Sequence, residues 1–208
     1  TYYDAGGWRA TWRGEGGGVL TNQCPHQLDL VTWLFGSPAS VYAQVGIGKY
    51  HHIEVEDEVT AILSYADGMT GVFVTTTGEA PGTNRLEIAG TRAKVVVEGL
   101  QLEITRNAVP ADQFCAESKE GFATPARATE RVVFEGEGPQ HRGVLENFIN
   151  AVLGREELIA PASEGVHSVE LANAMMTSGF SGERVALPLC GQGYAERLAR
   201  LQEGSSFV

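Results

Sequence analysis

Three consecutive glycines, Gly16-Gly17-Gly18, set ahead of an apolar pair and a proline-opened helical repeat, constrain the folding of this chain more than any other feature. Backbone without Cβ atoms can press against a neighbouring element and turn sharply. Val19-Leu20 then lead into the polar cluster Thr21-Asn22-Gln23. Pro25 opens a stretch whose apolar residues, Leu28, Val31, Leu34 and Phe35, recur at helical spacing. Proline suits a first helical turn, where its missing N–H would have no partner. Gly36 and Pro38 mark the end, so a helix is expected over 25–35. His26 then sits at the positive end of that helix, where a neutral imidazole is favoured. A neutral histidine can take a proton from a hydroxyl.

Strand signals follow in quick succession, at 41–47, 59–65, 69–76, 85–89, 93–98, 102–105 and 131–134. Ala66-Asp67-Gly68 and Gly90-Thr91 read as hairpin turns. Such short connections predict an antiparallel meander. Two further helices are expected: one over 141–153, burying Val144, Leu145, Phe148, Ile149 and Val152, and one over 163–178 with Ser163 as its cap. Residues 107–128 fit no period and read as a surface excursion or an arm toward a partner subunit. The fold class is therefore α+β, an open, mainly antiparallel sheet with helices on one face, in one domain over 1–208. Val72 and Val74 alternate with Phe73, so both sheet faces are apolar there, and one of them needs a cover.

A chain of 208 residues can bury a sizeable core. Its 26 acidic against 15 basic residues give a net charge of −11, which argues against nucleic acid and anionic membrane as partners. No run approaches the roughly 18 apolar residues of a membrane span, and no signal peptide is visible. Cys24, Cys115 and Cys190 are odd in number and widely spaced, which suits reduced thiols in the cytoplasm.

The stretch GGGVLTNQCPHQLDLVTWLFG resembles the C-terminal domain of the glucose–fructose oxidoreductase / inositol dehydrogenase (Gfo/Idh/MocA-type) family. That pattern runs Gly-Gly, apolar residues, an Asp, three residues, a His, and an Asp three further on. EVEDEVTAILSYADGMTGVFVTTTGEAPGTNRLEIAGTRAKVVVEG resembles the family's central strands, and SGFSGERVALPL its closing helix end and last short strand. The resemblance implies a glyceraldehyde-3-phosphate-dehydrogenase-like C-terminal domain that binds substrate and forms a homodimer or homotetramer through its open sheet face. It also implies NAD or NADP, bound mainly by an N-terminal Rossmann domain. Neither Gly46-Ile47-Gly48 nor Gly191-Gln192-Gly193 completes a dinucleotide fingerprint, and no Glu-Lys-Pro motif occurs. With a start at Thr1-Tyr2-Tyr3, the chain is expected to lack the Rossmann domain and to be inactive alone.

By resemblance, His26 is the acid/base acting on a hydroxyl of a sugar, polyol or related small molecule. Asn22 stands where most members have Asp; it can orient a histidine by hydrogen bonding but cannot carry charge. The expected catalytic residues are His26 and Asn22. Trp8, Arg9, Trp12, Arg13 and Gln23 are assigned to substrate binding, since exposed rings can stack on a sugar face and Arg can bind an anion bidentately. Asp29 is a candidate for supporting His26, and Glu79, Asn84 or Arg85 for lining the site. His52, Glu54, Glu56 and Glu58 share a face if extended, but without a second ligand cluster they read as a solvated acidic edge, not a metal site. Two rival functions remain: an NAD-dependent glycosidase or lyase using transient oxidation, and a non-catalytic dimerisation or binding module.

Overall fold

The computed structural model describes residues 3, 7–136 and 138–206. A π-helical turn (Val19–Gln23) and α1 (Pro25–Phe35) precede strands β1 (Ser40–Ile47), β2 (Glu56–Ser64), β3 (Thr70–Thr76), β4 (Arg85–Ala89), β5 (Ala93–Glu98) and β6 (Gln101–Asn107). There follow α2 (Ala111–Glu117), β7 (Arg127–Val133), α3 (Gln140–Val152), α4 (Gly165–Ser181), β8 (Val185–Ala186) and α5 (Gly191–Glu203). The fold is α+β and every strand pairing is antiparallel, in two sheets of order β3-β2-β1-β8 and β4-β5-β6-β7. The chain divides into two compact units, residues 1–80 with 160–208, and residues 81–159.

In the first unit one face of the β3-β2-β1-β8 sheet is covered. Val41, Ala43, Val59, Ala61, Leu63 and Phe73 point to Leu171, Ala174 and Met175 of α4. Gly179 brings α4 close to β1, since a Cβ there would lie 2.3 Å from Val45 Cγ2. Buried Ser178 adds polar stitching: its hydroxyl accepts the Ala43 N–H at 2.9 Å and donates to the Glu183 carbonyl at 2.6 Å. The opposite face carries Tyr42, Ile62, Val72 and Val74, all exposed. Phe73 between them is buried, so β3 has one covered face and one bare one.

In the second unit the register groups Leu86, Val97, Leu102 and Val132 on one half-buried face. The other face carries ion pairs, Arg85 with Glu87 and Glu98 (2.6 and 2.8 Å) and Arg131 with Glu103 (2.7 Å). Exposed pairs of this kind contribute about 1 kcal/mol or less each.

Three expectations change. Helix α3 forms, but its stripe of Val144, Leu145, Phe148, Ile149 and Val152 is exposed; the buried member is Asn147, bonded to the Glu157 carbonyl and the Ile159 N–H. Helical period reveals an amphipathic stripe, not whether anything lies on it. Ser163 does not cap α4, whose N-cap is Glu164 without a side-chain bond. The 107–128 excursion holds the short exposed helix α2. Helix α5 was not anticipated: Gly191 and Gly193 open it, and Tyr194, Leu198 and Leu201 pack on the core.

Candidate functional site

The glycine run is built against the start of β2. A Cβ on Gly18 would lie 2.0 Å from the Glu56 carbonyl oxygen and 2.8 Å from Val55 Cγ2. That close approach lets the chain reverse at once: the Thr21 and Asn22 N–H groups both reach the Gly18 carbonyl (3.1 and 2.9 Å), and the Cys24 N–H reaches Val19 (3.0 Å). Pro25 sits in the first turn of α1, and Gly36, at φ 73°, closes its other end. Leu28 is the buried anchor of α1, Val31 and Phe35 are half-buried, and Leu34 is exposed.

His26 stands exposed on the first turn of α1, and among the described residues it has no hydrogen-bond partner. Asp29 is exposed one turn on, and no bond joins its carboxylate to His26. Asn22 is held on both sides. Its Nδ2 donates to Glu15 Oε1, and its Oδ1 accepts from Gln23 Nε2 at 2.7 Å. The second Glu15 oxygen accepts the Ala10 N–H at 2.9 Å, so one carboxylate ties the loop bearing Trp8 and Arg9 to the turn bearing Asn22. No feature of the sequence around Glu15 marks it except its place before the glycines.

The two tryptophans differ. Trp8 is exposed, with the Arg9 guanidinium 5.2 Å from its ring centre. Trp12 is buried at 6% exposure, its ring 6.1 Å from that of Phe180 and its backbone N–H on Glu54 Oε2 at 3.3 Å, so the exposure expected of it is corrected: it packs in the core. Arg13 is exposed and donates to the Gln202 carbonyl at 3.4 Å. Arg85 is engaged by Glu87 and Glu98.

The solvated acidic edge is also corrected. Glu56 and Asp57 are both fully buried. Asp57 caps the loop before β2, accepting the N–H groups of Lys49, Tyr50 and His51 at 2.7–3.1 Å. Glu54 accepts from Trp12, Ser205 and Ser206. Glu56 lies under the glycine turn, with Oε1 on the Leu20 N–H at 3.1 Å and Oε2 without a partner among the described residues. Burial pushes its carboxyl up to about 7, opposed by backbone N–H groups, those of Gly18 and Leu20 among them, and raised a little by the Glu15 charge. Burial likewise pushes the Tyr194 hydroxyl to about 12, with Glu56 adding to the rise. The Cys24 thiol, at about 11 through burial, is bonded to the Val19 carbonyl and is no nucleophile.

The carboxyl of Glu56 has a measurable consequence. Its folded value lies above the ordinary 4.5, so between those limits the folded state keeps a proton that the unfolded chain has lost. Its contribution to stability is present below about pH 4.5 and is lost as pH rises to about 7, by up to about 3 kcal/mol. Glu56→Gln should remove this slope. Unfolding free energies of the two proteins, measured by denaturant between pH 4.5 and 8, should converge or cross as pH rises; a constant difference would rule the effect out.

Several solved structures contain a domain similar to this one. The WlbA dehydrogenase from Bordetella pertussis, solved with NADH and UDP-GlcNAcA, is 27% identical at a TM-score of 0.60 over 90% of this chain and 50% of its own. The WlbA enzyme from Chromobacterium violaceum, also with NADH and UDP-GlcNAcA, is 25% identical at 0.61 over 90% and 51%. Levoglucosan dehydrogenase with NADH and levoglucosan shares the fold at 0.70 with 18% identity, over 90% and 55%. This chain thus spans about half the length of each. Residues 1–96, just under half of the chain, match the GFO/IDH/MocA C-terminal domain family; the matched stretch holds the glycine turn, α1 and strands β1 to β4. No curated protein sequence matches the chain significantly.

Proposed function

We propose that this chain is the substrate-binding and oligomerisation domain of an NAD(P)-dependent oxidoreductase acting on a sugar, polyol or related hydroxylated small molecule. The observation that carries the reading is the exposed, unengaged His26 on a first helical turn fixed from behind by the buried glycine turn. A rigid backbone and a free imidazole are what an acid/base needs. The NADH and nucleotide-sugar complexes of the two WlbA enzymes support the reaction and substrate class.

The dinucleotide fits poorly on this chain's own residues. All pairings among the described strands are antiparallel, so none forms the parallel βαβ crevice that holds a nicotinamide dinucleotide. The cofactor is assigned to a Rossmann domain outside these residues, and the isolated chain is inactive on this reading. His26 takes the proton of the substrate hydroxyl during oxidation and returns one to the carbonyl oxygen during reduction. Asn22 and Gln23 line the approach, and Trp8 with Arg9 offers a stacking surface and a cation for an anionic sugar. Arg13 lies at the edge, while buried Trp12 supports this loop from below. The bare sheet face of Tyr42, Ile62, Val72 and Val74 is covered by a second copy in a homodimer or homotetramer. Three free cysteines and the absence of any helix, among the described residues, long and apolar enough to cross a membrane accord with a cytoplasmic enzyme.

The test is cofactor reduction by the full-length protein across a panel of sugars, polyols and nucleotide sugars, on material whose mass is measured by light scattering. Reduction of NAD or NADP with at least one substrate, by a dimer or larger assembly, is expected. Cofactor binding without reduction, together with cleavage of a glycoside, would replace the reading with a lyase-type reaction; no cofactor binding at all would leave an assembly module.

A further inference from the structure

Glu15 connects two segments that chain order keeps apart. Its half-buried carboxylate accepts the Ala10 N–H with one oxygen and the Asn22 side-chain amide with the other. Asn22 passes the link to Gln23. Ala10 is buried and held at φ 58°, a left-handed conformation that costs an L-residue about 1–2 kcal/mol and persists only where neighbours enforce it. The Glu15 bond to its N–H is one such restraint, and the bond from the Glu54 N–H to its carbonyl (3.3 Å) is the other. At its other end the line enters the π-helical turn one residue before α1, on which His26 stands.

Asn22 is neutral, so the negative charge in the line Glu15–Asn22–Gln23 comes from Glu15 alone. We propose that Glu15 is the positioning carboxylate of the His26 site: acting through Asn22, it fixes the turn that carries the histidine and holds the Trp8-Arg9 loop against the same turn. This rests on the acid/base reading of His26.

Hydrogen-bond chemistry supplies a reciprocal test. Glu15→Gln keeps one acceptor but turns an N–H donor toward either Ala10 N–H or Asn22 Nδ2, leaving two donors facing. Asn22→Asp sets two carboxylates against each other. In the double variant, the amide oxygen at position 15 takes the Ala10 N–H and the amide nitrogen there donates to the carboxylate at position 22, so each bond and the net charge return. The three variants are made in the full-length protein and assayed with the substrate that turns over, at a temperature where all stay folded. Amide hydrogen exchange over residues 8–11 and 20–26 is followed alongside.

Each single change should lower kcat/KM about tenfold, mostly in kcat, with faster exchange in both segments, and the double variant should recover to within about threefold of the parent. Shifted melting temperatures with unchanged kcat/KM in all three would reduce Glu15 to a structural role and overturn the proposal. A double variant as impaired as the product of the singles would overturn it too. If the parent turns over no substrate, the acid/base reading fails separately. Exchange then decides the link: protection lost in both singles and regained in the double keeps it, and unchanged exchange removes it.

Discussion

His26→Ala is expected to lower kcat for substrate oxidation by about 10²–10⁴-fold in the full-length protein while leaving its unfolding free energy within about 0.5 kcal/mol. The side chain is exposed on a first helical turn, touches no hydrogen-bond partner among the described residues, and gives way to the best helix former. Little in the fold depends on it, so a large loss of rate reports chemistry. The loss should fall in kcat, because a proton transfer occurs in the transition state and not in ground-state binding. His26→Gln should be as impaired as His26→Ala, since an amide can hydrogen-bond a hydroxyl but cannot take its proton. A fall confined to KM, or full activity in either variant, would remove His26 from the reaction.

How far the sequence could be read differs sharply between neighbouring residues, and the reason is physical. Helix α1 was legible over its full length because proline and glycine punctuate both ends, and those residues act through their own backbones. The strands were legible wherever apolar residues alternate between short turns. What they join was not: local alternation does not tell that β4 to β7 form a sheet of their own. The run from His51 to Glu58 looked solvated because polarity is a local property and burial is not. Continuing the alternation of Val59, Ala61 and Leu63 back by two residues already turns Asp57 inward, and that signal was available. Glu56 faces the other way and is buried only because the glycine turn, nearly forty residues earlier, lies over it. Likewise, Tyr194, Leu198 and Leu201 sit at helical spacing in α5, but two glycines at its start disguised it as a loop. Of the residues proposed for the site, His26 and Asn22 are legible from their motif, whereas Glu15 is not: the role proposed for it depends on which two N–H groups it meets, and contact is a property of the fold.

The glycine run itself yields the second large effect, as a graded series. Gly18→Ala should destabilise the protein by roughly 3 kcal/mol or more, beyond the usual overpacking cost, because the new methyl meets backbone that cannot rotate away. Its nearest atom is the Glu56 carbonyl oxygen at 2.0 Å, and the displaced turn would also draw the Leu20 N–H from the buried Glu56 carboxyl. Gly17→Ala should cost less. Its methyl would come within 2.3 Å of Thr21 Oγ1, the end of a side chain exposed enough to turn aside. Gly16→Ala meets nothing nearer than Leu198 Cδ2 at 3.9 Å, so its penalty is conformational, about 1 kcal/mol for an alanine held at φ 76°. Denaturant unfolding of the three variants should therefore place Gly18→Ala clearly last in stability, with the other two closer to the parent. The same order should appear in kcat/KM at a temperature where all three are folded, since Asn22 and His26 follow the turn that Gly18 seats against β2. Equal destabilisation at all three positions would mean that the run serves only as flexible chain, and that the close approach at Gly18 is not what holds the site in place.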